Sequence, residues 1–304
     1  MKSILVLMST YNGQRFLKEQ IDSILSQRGV DVHLLVRDDG SSDSTPEILS
    51  AYQERYPNVE VLLEENIGCK YSFAKLCRIA LERYPDYDYY AFSDQDDVWM
   101  EDKLSSATFK LNGQNSNSGR LYLSEKQIVD AALSPLSTPK RNYRLTLGES
   151  FIMHFATGCT MVFDINLLKM FCFADPSLMT LHDEWMYKMC LAIGGEVCYD
   201  STPHILYRQH GNNVVGVNLT FRQRWNGRWI RYAKEPQERS KLLTNMQSIY
   251  KEYFTLEARR IFGDITTYEL SLRSKLRVLF SSNIKSNYWK NNFGFFISVL
   301  TNRF

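Results

Sequence analysis

Apolar positions in the first hundred residues follow two alternating periods. Short apolar runs at Ile4–Leu7, Val32–Val36, Val59–Leu63 and Tyr87–Phe92 predict strands. Between them, Arg15–Ser26 repeats Phe16, Leu17, Ile21, Ile24 and Leu25 at helical spacing. Thr45-Pro46 opens a second helix as N-cap and first-turn proline, and Phe73–Arg83 forms a third. This alternation predicts an α/β fold: a mostly parallel central sheet, right-handed crossovers and helices on both faces.

Beyond Lys103 the pattern loosens. Asn112–Gly119 and Leu133–Lys140, the latter with Pro135 and Pro139, are expected to be loops. Phe151–Phe163 has strand character around Thr157-Gly-Cys159, and Asp164–Phe171 is expected to be a short helix. His182–Leu191 predicts a helix, Val197–Tyr199 and Ile205–Tyr207 two short strands, and the chain from Leu219 onward a helical extension.

Polar and acidic residues gather where the strands end. Ser93-Asp-Gln-Asp-Asp-Val-Trp99 follows the fourth run, and its carboxylates Asp94, Asp96 and Asp97 repel one another unless a cation sits among them. A hard divalent ion, Mg2+ or Mn2+, prefers such oxygen ligands and keeps positions for substrate phosphates. The bland alternative is a solvated acidic turn capping the next helix. The carboxyl end of a strand is where open α/β sheets place ligands, and Trp99 is expected to wall the site. Ser9-Thr-Tyr-Asn-Gly13, Asp38-Asp39-Gly40 and Asn66-Ile-Gly68 end the other three runs. Tyr11 could stack on a base, and Asp38 or Asp39 could accept a pyrimidine N3–H. Taken singly, these are a strand-to-helix turn and an Asx turn. Together, four polar strand ends predict one crevice. Asp183 in His182-Asp-Glu-Trp185 reads either as a helix-start carboxylate or as a general base. Arg208-Gln-His210 reads as a surface turn or as a partner for a diphosphate and metal.

Charge and cysteine usage add detail. The chain of 304 residues has a net charge of +2, yet residues 219–304 hold 16 Lys and Arg against 6 Asp and Glu. Of the totals of 36 and 34, residues 1–218 therefore keep 20 against 28. Two opposed surfaces suggest two kinds of partner. Six cysteines without CxxC spacing predict reduced, mostly buried thiols. Ile4–Met8 is too short for a secretory signal, and no run approaches the ~18–20 apolar residues of a membrane span. A cytoplasmic protein is expected.

With these motifs assembled, the chain resembles inverting family 2 glycosyltransferases of the GT-A (nucleotide-diphospho-sugar transferase) fold. The likeness is strongest to bacterial rhamnosyltransferases of cell-wall or O-antigen polysaccharide synthesis. MSTYNG, RDDGSSD, ENIG, FSDQDDVW, TGCTMVF, HDEW and LYRQHGNN carry it, in order, over roughly residues 3–218. It implies a catalytic domain over 1–218 and a basic helical extension over 219–304. It also implies that Thr10, Tyr11, Asp38 and Asp39 hold the nucleotide base, and Asn66 joins this nucleotide set. Asp94 and Asp96 match the DxD motif, contacting ribose and metal-diphosphate. Asp96, Asp97 and His210 form the expected metal set, and Asp183 matches the catalytic base. Family members often follow HD with an aromatic pair; here Glu184 intervenes and is a rival base. Leu121–Asp130 matches weakly, and 219–304 matches nothing.

The expected reaction is a single inverting displacement. A sugar, with L-rhamnose from dTDP-L-rhamnose the first choice, moves to a lipid-linked oligosaccharide acceptor. UDP-galactose, UDP-glucose or a UDP-N-acetylhexosamine is the alternative donor. A nucleotidyltransferase would want a Gly-rich, cationic triphosphate loop, which Ser9–Gly13 is not. A non-catalytic sugar-binding protein would need no base. Arg222, Arg224, Arg228, Arg231 and Lys234, with Trp225 and Trp229, predict a basic helix. It suits the anionic inner face of the plasma membrane better than nucleic acid.

Overall fold

The apolar runs of the first hundred residues are strands in the computed structural model, which describes residues 1–114, 116–136, 142–210 and 238–304. Strands β1 (Lys2–Thr10), β2 (Val30–Asp39), β3 (Val59–Glu64) and β4 (Tyr89–Ser93) alternate with helices α1 (Leu17–Leu25), α2 (Thr45–Arg55) and α3 (Cys69–Arg83). Strand β1 pairs in parallel with both β2 and β4, and β2 with β3. The register sets Ser9 beside Arg37 and Thr10 beside Asp38, so the polar strand ends lie at one edge. Ile4, Val6, Leu34 and Val36 are fully buried beneath them, which holds that edge in place.

The sheet continues through elements with weaker sequence signals. Its order is β3-β2-β1-β4-β7-β6-β8-β5, where β5 is Val98–Trp99, β6 Arg120–Val129, β7 Val162–Phe163 and β8 Glu196–Arg208. Helix α4 (Lys103–Asn112) follows β5, α6 (Ile165–Cys172) follows β7, and α7 (His182–Ala192) precedes β8.

Three expectations change here. The two short strands at 197–199 and 205–207 are one strand, β8, whose register against β6 shifts around Pro203. A proline cannot donate to a ladder, so an irregularity at that point is its natural place. Residues 151–163 are not a strand throughout. They hold the end of helix α5 (Leu147–Ile152), a 3-10 turn at Gly158–Thr160 and then β7. The missed signal was the helix start at Thr146-Leu-Gly-Glu149: Thr146 accepts from the Glu149 N–H, and the Glu149 carboxylate accepts from the Arg144 and Leu145 N–H groups just before the cap. Trp99 is a core residue, buried with Leu104 and Ile205, and does not wall an open site.

Two compact units divide the chain. The first comprises Met1–Thr138, Ala156–Cys190 and Gly195–Arg208, and contains the whole sheet. The second comprises Pro139–Phe155, Leu191–Gly194 and Gln209–Phe304. It holds α5 and helices α8 (Glu238–Tyr250), α9 (Leu256–Thr266), α10 (Leu272–Leu279) and α11 (Trp289–Leu300). Phe262 packs edge-on against Phe151 in its core, with ring centroids 5.3 Å apart. The 218/219 boundary, the basic helix at Arg222–Lys234, Asn115 and the tip of the Leu133–Lys140 loop lie outside the described residues.

Candidate active site

The acidic turn between β4 and β5 is anchored from both ends by α1. The buried Gln20 amide, its nitrogen toward the Asp97 carbonyl, accepts from Ser93 Oγ at 2.8 Å and Trp99 Nε1 at 3.1 Å. Ser23 Oγ accepts from the Trp99 N–H at 3.0 Å. Arg208, at the end of β8, closes the far side. It is a buried strand residue and not the surface turn that the sequence left open. Its N–H donates to Asp97 Oδ1 at 3.1 Å and its Nε–H to the Asp96 carbonyl at 2.9 Å. The guanidinium also pairs with Glu19 and lies 4.3 Å from the Phe16 ring centroid. Removing this side chain would free the Asp96 carbonyl and Glu19 of these contacts while leaving the backbone bond to Asp97 in place.

Ligand atoms of Asp94, Asp97 and Cys159 lie within 4.8 Å of one another. Neither Asp96 nor His210 belongs to that cluster; Asp96 sits beside it in the turn, and His210 is partly buried two residues past β8. Burial, then the Asp96 and Asp183 charges, push the Asp94 carboxyl up to about 7. Burial, then Asp96 and Asp94, hold Asp97 well above the usual carboxylate range. Asp97 Oδ2 is buried with no hydrogen-bond partner among the described residues. A divalent cation would relieve this repulsion, so the donor set fits a hard metal ion. Cys159 is a different kind of neighbour. Burial and the two carboxylates raise its thiol well above the ordinary range in the cation-free protein.

Helix α7 brings Asp183 toward this cluster. Asp183 Oδ2 accepts from the Gly158 N–H at 3.0 Å, and Oδ1 from the Glu184 N–H at 2.7 Å. Gly158 permits the approach, since a Cβ there would stand 2.7 Å from His182 Nε2. Glu184 points elsewhere, into an ion pair with the buried Lys188 one turn along. Sequence reasoning missed Lys126 on β6. Its ammonium donates to Thr157 Oγ1 at 2.6 Å, lies 4.1 Å from the Tyr207 ring centroid, and lowers the Asp94 carboxyl against the acidic neighbours.

The β1–β3 ends form a second group. Thr10 Oγ1 donates to Asp38 Oδ1 at 2.8 Å, and the Ser41 N–H, three residues on, donates to Asp38 Oδ2 at 2.8 Å. Asp39 accepts from the Ile67 and Gly68 N–H groups, both at 2.8 Å, and from the buried Arg37. Gly40 sits at φ 75°, where a Cβ would be 2.8 Å from the Asn66 nitrogen. Only glycine allows that approach. Asp38, Gly40, Ser41, Pro46 and Leu63 line a cavity of about 450 Å³, a size suited to a small-molecule ligand. Asn66 is exposed beside Gly40, and Tyr11 is half-exposed, its backbone held at both N–H and carbonyl by the Gln95 amide.

A mixed α/β sheet with acids and a turn-bound aspartate at its polar edge is the architecture of a nucleotide-sugar transferase of the GT-A type. Comparison with known proteins agrees. The model of glycosyl transferase family 2 matches residues 5–171, and the chain belongs to that family. It is 33% identical over 234 residues to the dTDP-rhamnosyl transferase RfbG of Shigella flexneri, covering 72% of this chain and 76% of the relative. A shorter match, 34% over 100 residues, covers 33% of this chain and 38% of the putative teichuronic acid biosynthesis glycosyltransferase TuaG of Bacillus subtilis. Among solved structures, S. aureus TarS 1-349 in complex with UDP-GlcNAc superposes with a TM-score of 0.62 at 17% identity, over 99% of this chain and 80% of that one. The protein is a glycosyltransferase. No helix among the described residues is long and apolar enough to cross a membrane.

Proposed function

We propose that this enzyme transfers L-rhamnose from dTDP-L-rhamnose, with inversion, to a lipid-linked glycan acceptor at the inner face of the plasma membrane, during surface polysaccharide synthesis. The observation carrying the donor is the 33% identity to a dTDP-rhamnosyl transferase over most of both chains. The domain over 1–218 would carry the chemistry. Thr10, Tyr11, Asp38, Asp39, Asn66 and Asp94 would hold the nucleotide. Asp96 and Asp97, with Asp94 beside them and His210 close in sequence to the strand that closes the turn, would hold Mg2+ or Mn2+. When bound, the ion neutralises charge on the departing diphosphate.

The side chains then divide the work. Asp183 accepts the proton of the acceptor hydroxyl as that oxygen forms its bond to the anomeric carbon. The bond from that carbon to the diphosphate oxygen breaks in the same step, and the nucleoside diphosphate departs. Two backbone N–H groups orient the Asp183 carboxylate, whereas Glu184 is engaged by Lys188, which favours Asp183 as base. No nucleophilic side chain is required.

A donor panel tests this reading. Purified enzyme with Mg2+ or Mn2+ should release dTDP from dTDP-L-rhamnose faster than UDP from UDP-galactose, UDP-glucose or UDP-N-acetylglucosamine. Preference for any UDP-sugar would move the assignment to that donor. Nucleotide recognition has a separate test. Tyr11→Ala should weaken dTDP affinity by about 1–3 kcal/mol, the usual worth of an aromatic ring stacked on a base. Unchanged affinity in titration calorimetry would remove Tyr11 from the site.

A further inference from the structure

Helix α11 is apolar on two opposite sides. Phe295, Ser298 and Val299 are buried, with Phe295 edge-on to Phe304 at 5.1 Å between ring centroids. Opposite them, Trp289, Phe293, Phe296 and Leu300 recur at spacings of four, three and four residues, which aligns them in one stripe. They are 71, 52, 37 and 41% exposed. A surface helix ordinarily turns polar side chains outward, so this stripe is anomalous. Helix α10 stands beside the end of α11, where Lys275 Nζ donates to the Leu300 carbonyl at 3.3 Å. It adds exposed Leu272 and Leu276, one turn apart, and Phe280 just beyond its end.

The charge along this stretch of sequence has one sign, although Arg277 is paired with Asp264 of α9 at 3.1 Å. After Glu269 the sequence contains no Asp or Glu, while Arg273, Lys275, Arg277, Lys285, Lys290 and Arg303 fall in the same stretch. Protein interfaces deplete lysine and balance their charges, whereas an anionic lipid surface rewards cations beside aromatic residues. Twelve residues span about 18 Å, far short of a ~30 Å hydrocarbon core, so α11 can lie in the interface but not cross it.

We propose that α10 and α11 form the surface by which the protein docks on an anionic bilayer. Trp289, Phe293 and Phe296 enter the acyl boundary, and the flanking Lys and Arg side chains meet lipid phosphates. This rests on the membrane-surface reading above and names the element responsible, without using residues 211–237.

Flotation of the full chain with phosphatidylcholine vesicles, with and without phosphatidylglycerol, tests it. Binding should require phosphatidylglycerol and weaken at high salt. It should fall at least about tenfold in the double variant F293E/F296E, whose positions are exposed and whose fold circular dichroism would check. Brominated acyl chains should quench the fluorescence that wild type has and W289F lacks. If F293E/F296E floats as well as wild type, another surface docks and the proposal falls, while the membrane reading stands. If wild type binds neither vesicle, both fall and the glycosyl-transfer assignment is untouched. Dimerisation abolished by F293E/F296E, without vesicle binding, would make the stripe a self-association surface and overturn the proposal.

Discussion

Replacing Asp183 by Asn is expected to lower turnover by about 10²–10⁴-fold while leaving the affinity for dTDP unchanged. The amide keeps the size of the carboxylate and can still accept from one of the two N–H groups that hold it, Gly158 or Glu184. It cannot take up a proton. Lost turnover with retained binding therefore separates the base from a residue that merely shapes the first turn of α7. Glu184→Gln provides the internal control. It should stay active but be less stable, because it removes the Glu184 charge that pairs with the buried Lys188 ammonium. Denaturant melts and steady-state kinetics on both variants suffice. A dead Glu184→Gln beside an active Asp183→Asn would reverse the two roles.

The second large effect is loss of the divalent ion. Chelation by EDTA should abolish transfer, with Mn2+ or Mg2+ restoring it, and Asp96→Ala should cost several kcal/mol of transition-state stabilisation that added metal does not recover. Full activity in EDTA would sink the assignment. The carboxyl groups also predict a pH signature. In cation-free protein Asp94 titrates near 7, above the ~3.9 of an unfolded chain. A raised carboxyl contributes stability that is complete below the unfolded value and lost as pH rises through the folded one. Cation-free protein should therefore lose stability between about pH 4 and 7, with Asp97 extending the loss upward. The Tm gain from Mn2+ should be larger at pH 8 than at pH 5. A gain independent of pH would mean that the ion binds elsewhere.

These experiments probe residues that differ in how openly the sequence displayed them. The β1–β4 strands and the helices between them were legible because a doubly covered strand must be apolar and its crossover helix amphipathic. The acids of Asp94–Asp97 were legible because three carboxylates in four positions demand a physical explanation. Strand β6 was not legible. Leu121–Leu123 is buried but Ser124–Gln127 is polar, so neither period appears. Lys126 was hidden with it. Arg208 looked like part of a turn, because nothing local shows that a strand end will be buried against Phe16 and the acidic loop.

By itself, the amino-acid sequence determined that an α/β sheet forms, that polar strand ends share one edge, and that Asp94, Asp96, Asp97 and Asp183 are candidates for one site. Those conclusions follow from local periodicity and from charge repulsion between near neighbours, which need no long-range contacts. Only the tertiary structure decided which groups meet. It put the Cys159 thiol against the carboxylates from 62 to 65 residues away in sequence and directed Glu184 to Lys188 rather than toward Asp94. It also gave α11 an aromatic stripe that stays partly to largely exposed. Such outcomes depend on how distant elements pack, since burial alone decides whether a charge is relieved by water, by a partner or by an ion.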